Sequence, residues 1–315
     1  MSDFELRPLG NSGLKVAPLA LGGNVFGWTA DKESSFRILD AFVDAGGTMI
    51  DTADVYSAWV PGHRGGESET VIGEWLARDP TRRDKVVIAT KVGFMAGLKP
   101  ETIGPACDAS LERLGVETID LYYQHKDDES IPLAESLGAF EELRRAGKIR
   151  AIGLSNFTAD RVEEALAVCD AQGFAKPAAL QNWYNLVERG KYEGALQDVT
   201  IAAGLSQFPY YGLANGFLTG KYRSEDDLQK SPRGLRNIEY VKSERGQRVL
   251  AALETVAAET RSALATVALA WLKAQAGVTA PIASATSRDQ LDQLVAALHL
   301  DLRPEQIDTL TAASD

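Results

Sequence analysis

Cysteine is nearly absent, with two residues in a chain of 315, Cys107 and Cys169. Both fall on predicted helices among apolar neighbours, which predicts buried thiols and suits a reducing cytoplasm. Histidine is almost as scarce: His63, His125 and His299 follow no HExxH or other zinc spacing, so no metal site is expected. No GxGxxG or GxxxxGK loop follows a strand-like run, which argues against a Rossmann site and a P-loop. No stretch approaches the roughly 18 unbroken apolar residues that span a bilayer. The start, MSDFELRPLG, is acidic and lacks a hydrophobic core, so it does not read as a secretory signal and a cytoplasmic protein is expected. The net charge is −11 with no lysine or arginine cluster, which makes nucleic acid and anionic membranes poor partners. Solenoid-period repeats and low-complexity linkers are missing too.

What is present reads as a soluble globular chain, 45% hydrophobic and 24% charged. The length suits one large α/β barrel, and two smaller domains would fit the length alone. Short β-rich runs at 19–23, 48–51, 86–91, 119–124, 150–154, 179–184, 205–210 and 278–282 alternate with amphipathic stretches. That pattern predicts a parallel sheet, and eight strands favour a (β/α)8 barrel over an open doubly wound sheet. A single domain over 1–315 is the simpler reading. Asn11-Ser12-Gly13 between two apolar runs predicts an opening β-hairpin. A helix over 32–45 should stop at Gly46-Gly47. Leu133, Leu137, Phe140 and Leu143 form a buried stripe, with Glu141, Glu142, Arg144 and Arg145 expected to point elsewhere. Thr158 should cap the helix whose inner face carries Val162, Leu166 and Cys169. The segments 57–66 and 222–242 break the short-loop rule, and both follow strands, as recognition loops or lids do.

Four polar residues stand where strands end: Asp51 and Tyr56 in MIDTADVY, Lys91 in VVIATKVG and His125 in IDLYYQHKDD. In a barrel of βα units these ends share one rim, where active sites are built. A carboxylate, a phenol, an ammonium and an imidazole would meet there, which outlines a proton-transfer site. Each residue alone has a bland explanation: a cap, a rim aromatic, a paired strand-end lysine, a structural histidine. All four at successive strand ends are a different matter.

The set Asp51, Tyr56, Lys91 and His125 resembles the catalytic tetrad of the aldo-keto reductases. ALGG (20–23), DTADVYSAW (51–59), GGESETVIGEWL (65–76), IATKVG (88–93), SLERLGVETIDLYYQH (110–125), RAIGLSNF (150–157), LQNWYNL (180–186) and GFLTGKY (216–222) are similar to that family's blocks, in its order. The resemblance implies reversible NADPH-dependent reduction of an aldehyde or ketone in a barrel plugged below by the hairpin. Tyr56 would be the general acid, Lys91 the cation that favours its phenolate, Asp51 the holder of Lys91, and His125 the group that orients and polarises the carbonyl. An unperturbed tyrosine, near pKa 10, is too weak an acid without such a cation.

The resemblance also implies a nicotinamide nucleotide extended across the barrel mouth. Gly23, Asn24 and Asp51 would lie beside it; Ser155, Asn156 and Gln181 resemble the set that holds the carboxamide, and Tyr210 the aromatic stacked on the ring. Tyr211 and the run Leu213 to Lys221, with Gly216, Leu218 and Gly220, resemble the pyrophosphate loop. Toward the adenosine end stand Ser284, Thr286, Arg288 and Gln290. That block departs from the family pattern, with Gln293-Leu294 in place of an acid–amide pair; Thr286 or Ser287 could also simply cap a helix. NADP(H) is favoured over NAD(H), since hydroxyls and one guanidinium suit a 2′-phosphate. Trp28, Trp59 and Trp183, with Phe26 and Tyr211, are candidate walls for a small carbonyl or alcohol substrate beside Tyr56 and His125. Two other readings stand beside this one: a nucleotide-binding regulatory barrel, and a phosphosugar isomerase or aldolase. The set of Ser155, Asn156, Gln181 and Tyr210 argues against the last.

Overall fold

The structure, a computed structural model, describes residues 4–231 and 234–315. It opens with an antiparallel hairpin, β1 (Arg7–Pro8) and β2 (Lys15–Val16), turned at Gly13 with φ +77°. Eight parallel strands follow: β3 (Ala20–Gly22), β4 (Met49–Asp51), β5 (Val87–Val92), β6 (Ile119–Gln124), β7 (Ile149–Ser155), β8 (Ala179–Gln181), β9 (Ser206–Gln207) and β10 (Ile282–Ala283). They pair in chain order, and β10 returns beside β3. Gln207 bridges Val278, and Ile282 N–H donates to the Pro209 carbonyl at 2.8 Å, so the ring closes between β9 and β10. The (β/α)8 barrel with its hairpin is therefore as the sequence predicts.

The helices are α1 (Lys32–Asp44), α2 (Glu67–Ala77), α3 (Pro100–Leu114), α4 (Leu133–Arg145), α5 (Ala159–Gln172), α6 (Ala195–Ala202), α7 (Ile238–Lys242), α8 (Glu244–Thr260), α9 (Leu264–Lys273), α10 (Arg288–His299) and α11 (Pro304–Ala313). Strand alternation sorts the core into two sets. Leu21, Ile50, Ile88, Tyr122, Ile152 and Leu180 face outward to the helices. Ala20, Met49, Val87, Ala89, Leu121, Tyr123, Ala151 and Ala179 fill the interior, and Leu9 and Val16 of the hairpin join them from below. Interior space is tight: a Cβ on Gly153 would lie 2.3 Å from the Tyr123 ring, so only glycine fits opposite that tyrosine.

Several expectations hold in detail. Helix α1 ends before Gly46, whose φ is +86°, and the Thr158 side chain accepts from Arg161 N–H to cap α5. The α4 stripe is buried, and both cysteines are buried free thiols, pushed up to about 12 and about 11 by burial. Others need correction. Glu141 is buried, because Arg144, Arg145 and the Ala175 N–H satisfy its carboxylate; the Arg144 hydrogen bond, foremost among these, holds its pKa near about 2. The last strand is Ile282–Ala283 and not 278–282, since Pro281 has no N–H to give to a ladder. The segment 222–242 folds into short helical pieces, Glu225–Lys230, Gly234–Asn237 and α7; residues 232–233 lie outside the described residues.

Candidate active site

The barrel brings the four predicted residues to one rim. Asp51 is the last residue of β4, Lys91 the penultimate residue of β5, and His125 directly follows β6; Tyr56 sits in the turn after β4. Lys91 is fully buried, and its three ammonium protons have three acceptors: Asp51 Oδ2 at 2.7 Å, the Thr52 carbonyl at 2.7 Å and the Tyr56 hydroxyl at 3.0 Å. The other carboxylate oxygen of Asp51 accepts from Gln181 Nε2 at 2.8 Å. The Asp51–Lys91 pair is thus buried and saturated, and the Tyr56 oxygen lies above it.

Electrostatics set the resting protonation. Burial, then the Asp51 charge, push the Tyr56 phenol well above its ordinary value, so it carries its proton at neutral pH. The expected lowering by Lys91 is thus outweighed in the resting site, although the ammonium is in contact. Burial pulls Lys91 down and Asp51 resists. Burial, then Lys91, hold His125 well below its usual value; its Nδ1 is buried with no protein partner, and its backbone N–H is fixed to the Val92 carbonyl at 2.8 Å. A neutral phenol and a neutral imidazole therefore stand side by side, ring centroids 6.0 Å apart, over a cation–carboxylate base.

A second group adjoins the tetrad. Ser155 and Gln181 end β7 and β8 and are buried. Asn156 takes φ +60°, held by its Nδ2 donating to the His125 carbonyl at 2.8 Å and its Oδ1 accepting from Tyr210 OH at 2.6 Å. Asn182 was not anticipated; its Oδ1 accepts from Asn156 N–H and its Nδ2 donates to the Phe157 carbonyl. Tyr211, at φ +55°, packs between Trp183 and Tyr210 with centroids 5.2 and 5.1 Å away. Leu213 to Gly220 form the next turn. Gly216 and Gly220 take φ +92° and +76°, left-handed conformations that favour glycine. Leu218, expected beside the nucleotide, is instead fully buried, with its N–H donating to the Leu213 carbonyl. Opposite, Asn24 Oδ1 accepts from Ser284 Oγ at 2.6 Å, and Gly23 N–H is committed to the Asp51 carbonyl.

At the far end Ser287, not Thr286, caps α10, and Gln290 Oε1 accepts from Thr286 N–H and Oγ1. Arg288 is exposed and paired with Asp292 at 2.7 Å. Hydroxyls, amides, a helix N-terminus and two cationic side chains lie along one rim, a donor set that fits an extended dinucleotide with anionic phosphates.

Trp28 and Trp59 meet edge to face at 5.6 Å, and Trp59 lies 6.1 Å from the Tyr56 ring. Phe26 does not line this wall: it is fully buried in the core. Phe94, which sequence reasoning missed, packs 4.9 Å from His125 and is half exposed. Its signal was an aromatic three residues beyond Lys91, in a loop after a barrel strand.

Among the described residues no cluster of three or more histidine, cysteine or acidic side chains could hold a metal ion, and no helix is long and apolar enough to cross a membrane.

Buried Asp51, Lys91 and His125 with half-buried Tyr56 on the C-terminal rim of an eight-stranded barrel define a class, and the comparisons agree with it. The chain belongs to the aldo/keto reductase family, whose model matches residues 18–315. It is therefore an oxidoreductase of a family that acts on carbonyls with nicotinamide cofactors. The chain is 34% identical to the uncharacterized oxidoreductase YrpG of Bacillus subtilis over 96% of its length and 93% of that protein. It is 30% identical to the Protein tas of Escherichia coli, covering 98% of this chain and 97% of that one. To human aflatoxin B1 aldehyde reductase member 4 the identity is 36%, over 68% of this chain and 63% of the relative.

Proposed function

We propose that this protein reduces an aldehyde or ketone with NADPH, reversibly, and that Tyr56 gives the carbonyl oxygen its proton. The observation that carries the reading is the 3.0 Å contact between Lys91 Nζ and the Tyr56 hydroxyl, above a lysine whose remaining protons are taken by Asp51 and the Thr52 carbonyl. When bound, the dihydronicotinamide supplies the hydride. We assign its carboxamide to Asn156, Ser155 and Gln181 and its ring face to Tyr210.

The neutral His125 holds the substrate carbonyl by one ring nitrogen and shares its polarisation with Tyr56. As negative charge grows on the carbonyl oxygen, the phenol proton moves to it, and the phenolate left behind is stabilised by the ammonium already in hydrogen-bond contact. Fixed charge of this kind needs no reorganisation at the moment of reaction. In reverse, the phenolate takes the alcohol proton. Trp28, Trp59 and Phe94 favour a carbonyl carrying an apolar or flat group, in keeping with the aldehyde in the human relative's name.

Tyr56→Phe tests the assignment. It should lower kcat by about three orders of magnitude, roughly 4 kcal/mol of transition-state stabilisation, while nucleotide binding stays near wild type. Steady-state reduction of an aldehyde and ketone panel, with each cofactor followed at the nicotinamide absorbance band, provides the reading. A mutant that keeps most of its turnover removes Tyr56 from the role.

A further inference from the structure

Helix α2 starts with two polar side chains, Ser68 and Glu69, that are fully buried against the barrel wall. Ser68 Oγ accepts from Thr52 Oγ1 at 2.8 Å and donates to the Gly23 carbonyl at 2.8 Å. Glu69 Oε1 accepts from the Thr90 hydroxyl, and its Oε2 takes Arg113 Nε at 2.7 Å. Thr52 directly follows Asp51, and Thr90 directly precedes Lys91. Neighbouring side chains on a strand face opposite sides. Each inward member of the buried ion pair thus has an outward threonine beside it, and two consecutive residues of one helix hold both threonines.

The hold reaches the ammonium through the main chain. Lys91 Nζ donates to the carbonyl of the same Thr52 at 2.7 Å, and Gly23 N–H donates to the Asp51 carbonyl at 2.7 Å. A Cβ on Gly23 would lie 2.8 Å from Ser68 Oγ, so the serine needs glycine in order to approach. The surrounding helix–sheet layer is apolar, with Ile50, Ile72 and Ile88 buried in it. Two hydroxyls, a carboxylate and its partners are costly there unless they fix something that apolar packing would leave loose.

We propose that Ser68 and Glu69 are positioning residues: by clasping Thr52 and Thr90 from outside the barrel, they set the separation at which Lys91 meets Asp51 and Tyr56. The inference rests on the proposed role of Lys91 and Tyr56 in proton transfer. Small misplacements of such groups are enough to slow chemistry. The groups facing Lys91 are Asp51 and Tyr56 from β4 and its turn and Tyr123 and His125 from β6 and its end, and the Asp54 and Glu69 charges act on it through space, Glu69 from outside the barrel. The test leaves all of these charges in place and changes hydroxyls only.

Thr52→Val and Thr90→Val, singly and together, delete the clasped hydroxyls at constant shape, and Thr52→Ser with Thr90→Ser restore them. The quantities read are kcat, the alkaline limb of the reduction pH profile, nucleotide Kd by tryptophan quenching, and Tm. The double valine variant is expected to lose roughly 30-fold in kcat, with nucleotide Kd within about twofold of wild type. Its alkaline limb should move up by about half a pH unit or more, because a displaced ammonium favours the phenolate less. The serine pair should recover wild-type kcat and limb. A folded valine variant with wild-type kcat overturns the proposal, and so does one whose kcat falls while the limb stays. If the valine variants do not fold, the serine pair decides: a wild-type limb supports the clasp and a shifted limb sinks it. Tyr56→Phe run alongside separates the two readings. Its retention of turnover would end the proposed function, whereas an inert Tyr56→Phe beside wild-type-like valine variants ends the clasp alone.

Discussion

The two ends of this barrel are built on opposite principles. At the N-terminal end, Leu9 and Val16 of the hairpin close over Ala20, Met49 and Val87 in an apolar cluster, and the polar ties there run mainly to backbone, from Arg7 to the Val278 carbonyl and from Ser206 to the Pro8 carbonyl. At the C-terminal end the interior holds Asp51, Lys91, Ser155 and Gln181, each buried and polar. Backbone strain follows the same division. Of the six non-glycine residues with positive φ among those described, Ser57, Asn156, Tyr211, Ala214 and Asn215 lie in loops after barrel strands, and only Arg261 ends a helix elsewhere. Such conformations cost about 1–3 kcal/mol each and persist where surrounding structure forces them. The base accumulates stability and the mouth expends it on placing polar atoms.

Substitutions at each end should separate the two currencies. The largest expected effect is at the mouth. Lys91→Met should lower kcat by about 10³-fold, roughly 4 kcal/mol, and move the alkaline limb of reduction upward, since the cation that favours phenolate is gone. A pH–rate profile in which the limb does not move would uncouple the lysine from the tyrosine.

Leu9→Ala at the base should do the reverse. Leu9 is fully buried, and removing it should lower unfolding stability by about 2–5 kcal/mol. Turnover at 25 °C should stay near wild type. Urea unfolding paired with steady-state kinetics checks both halves, and a large fall in kcat would show that the plug reaches the chemistry.

A third substitution should gain stability at the mouth. Burial, then the neighbouring Glu69, push Asp54 up to about 7 from 3.8, and its Oδ1 is buried without a protein partner. A carboxyl raised in the folded state costs nothing below its unfolded value. The cost enters as pH rises from about 4 to about 7, where the unfolded chain has lost the proton that the folded chain still prefers. Asp54→Asn should therefore stabilise by about 1–2 kcal/mol at pH 8 and by almost nothing at pH 4. Equal effects at the two pH values would remove the electrostatic cause.

The smallest effect is expected at Arg288. Its guanidinium is exposed and already pairs with Asp292, so its attraction for a 2′-phosphate is partly spent and screened. Arg288→Ala should narrow the NADPH-over-NADH preference by about fivefold, near 1 kcal/mol, with NADH binding unchanged. Titrating both nucleotides against the mutant gives the ratio. Equal losses for the two would place Arg288 in support of the fold.

Much of this contrast could be read before any coordinates. Eight short β-rich runs, the hairpin turn at Asn11-Ser12-Gly13 and the α4 stripe are local patterns; all became the elements they implied except the last run, 278–282, whose strand fell at Ile282–Ala283. The four tetrad positions were legible because a strand end is a sequence feature and barrel topology gathers strand ends. Phe94, Asn182 and the clasp of Ser68 and Glu69 were not legible. Their partners lie on other elements: Phe94 meets His125, Asn182 holds Asn156, and Ser68 and Glu69 hold Thr52 and Thr90. Glu141 failed for a related reason, since a carboxylate at the edge of an apolar stripe is exposed unless arginines and a backbone N–H come to it.

The sequence by itself determined the barrel, its plug and the identity of the residues at the mouth, because hydrophobic period and strand-end chemistry are written locally along the chain. Tertiary structure alone decided the protonation. Tyr56 holds its proton well above the ordinary range and His125 stays neutral, because burial and the charges of Asp51 and Lys91 act through space across β4, β5 and β6. Coulomb energy and desolvation depend on distance and surrounding medium, and neither quantity exists until the strands have closed into a ring.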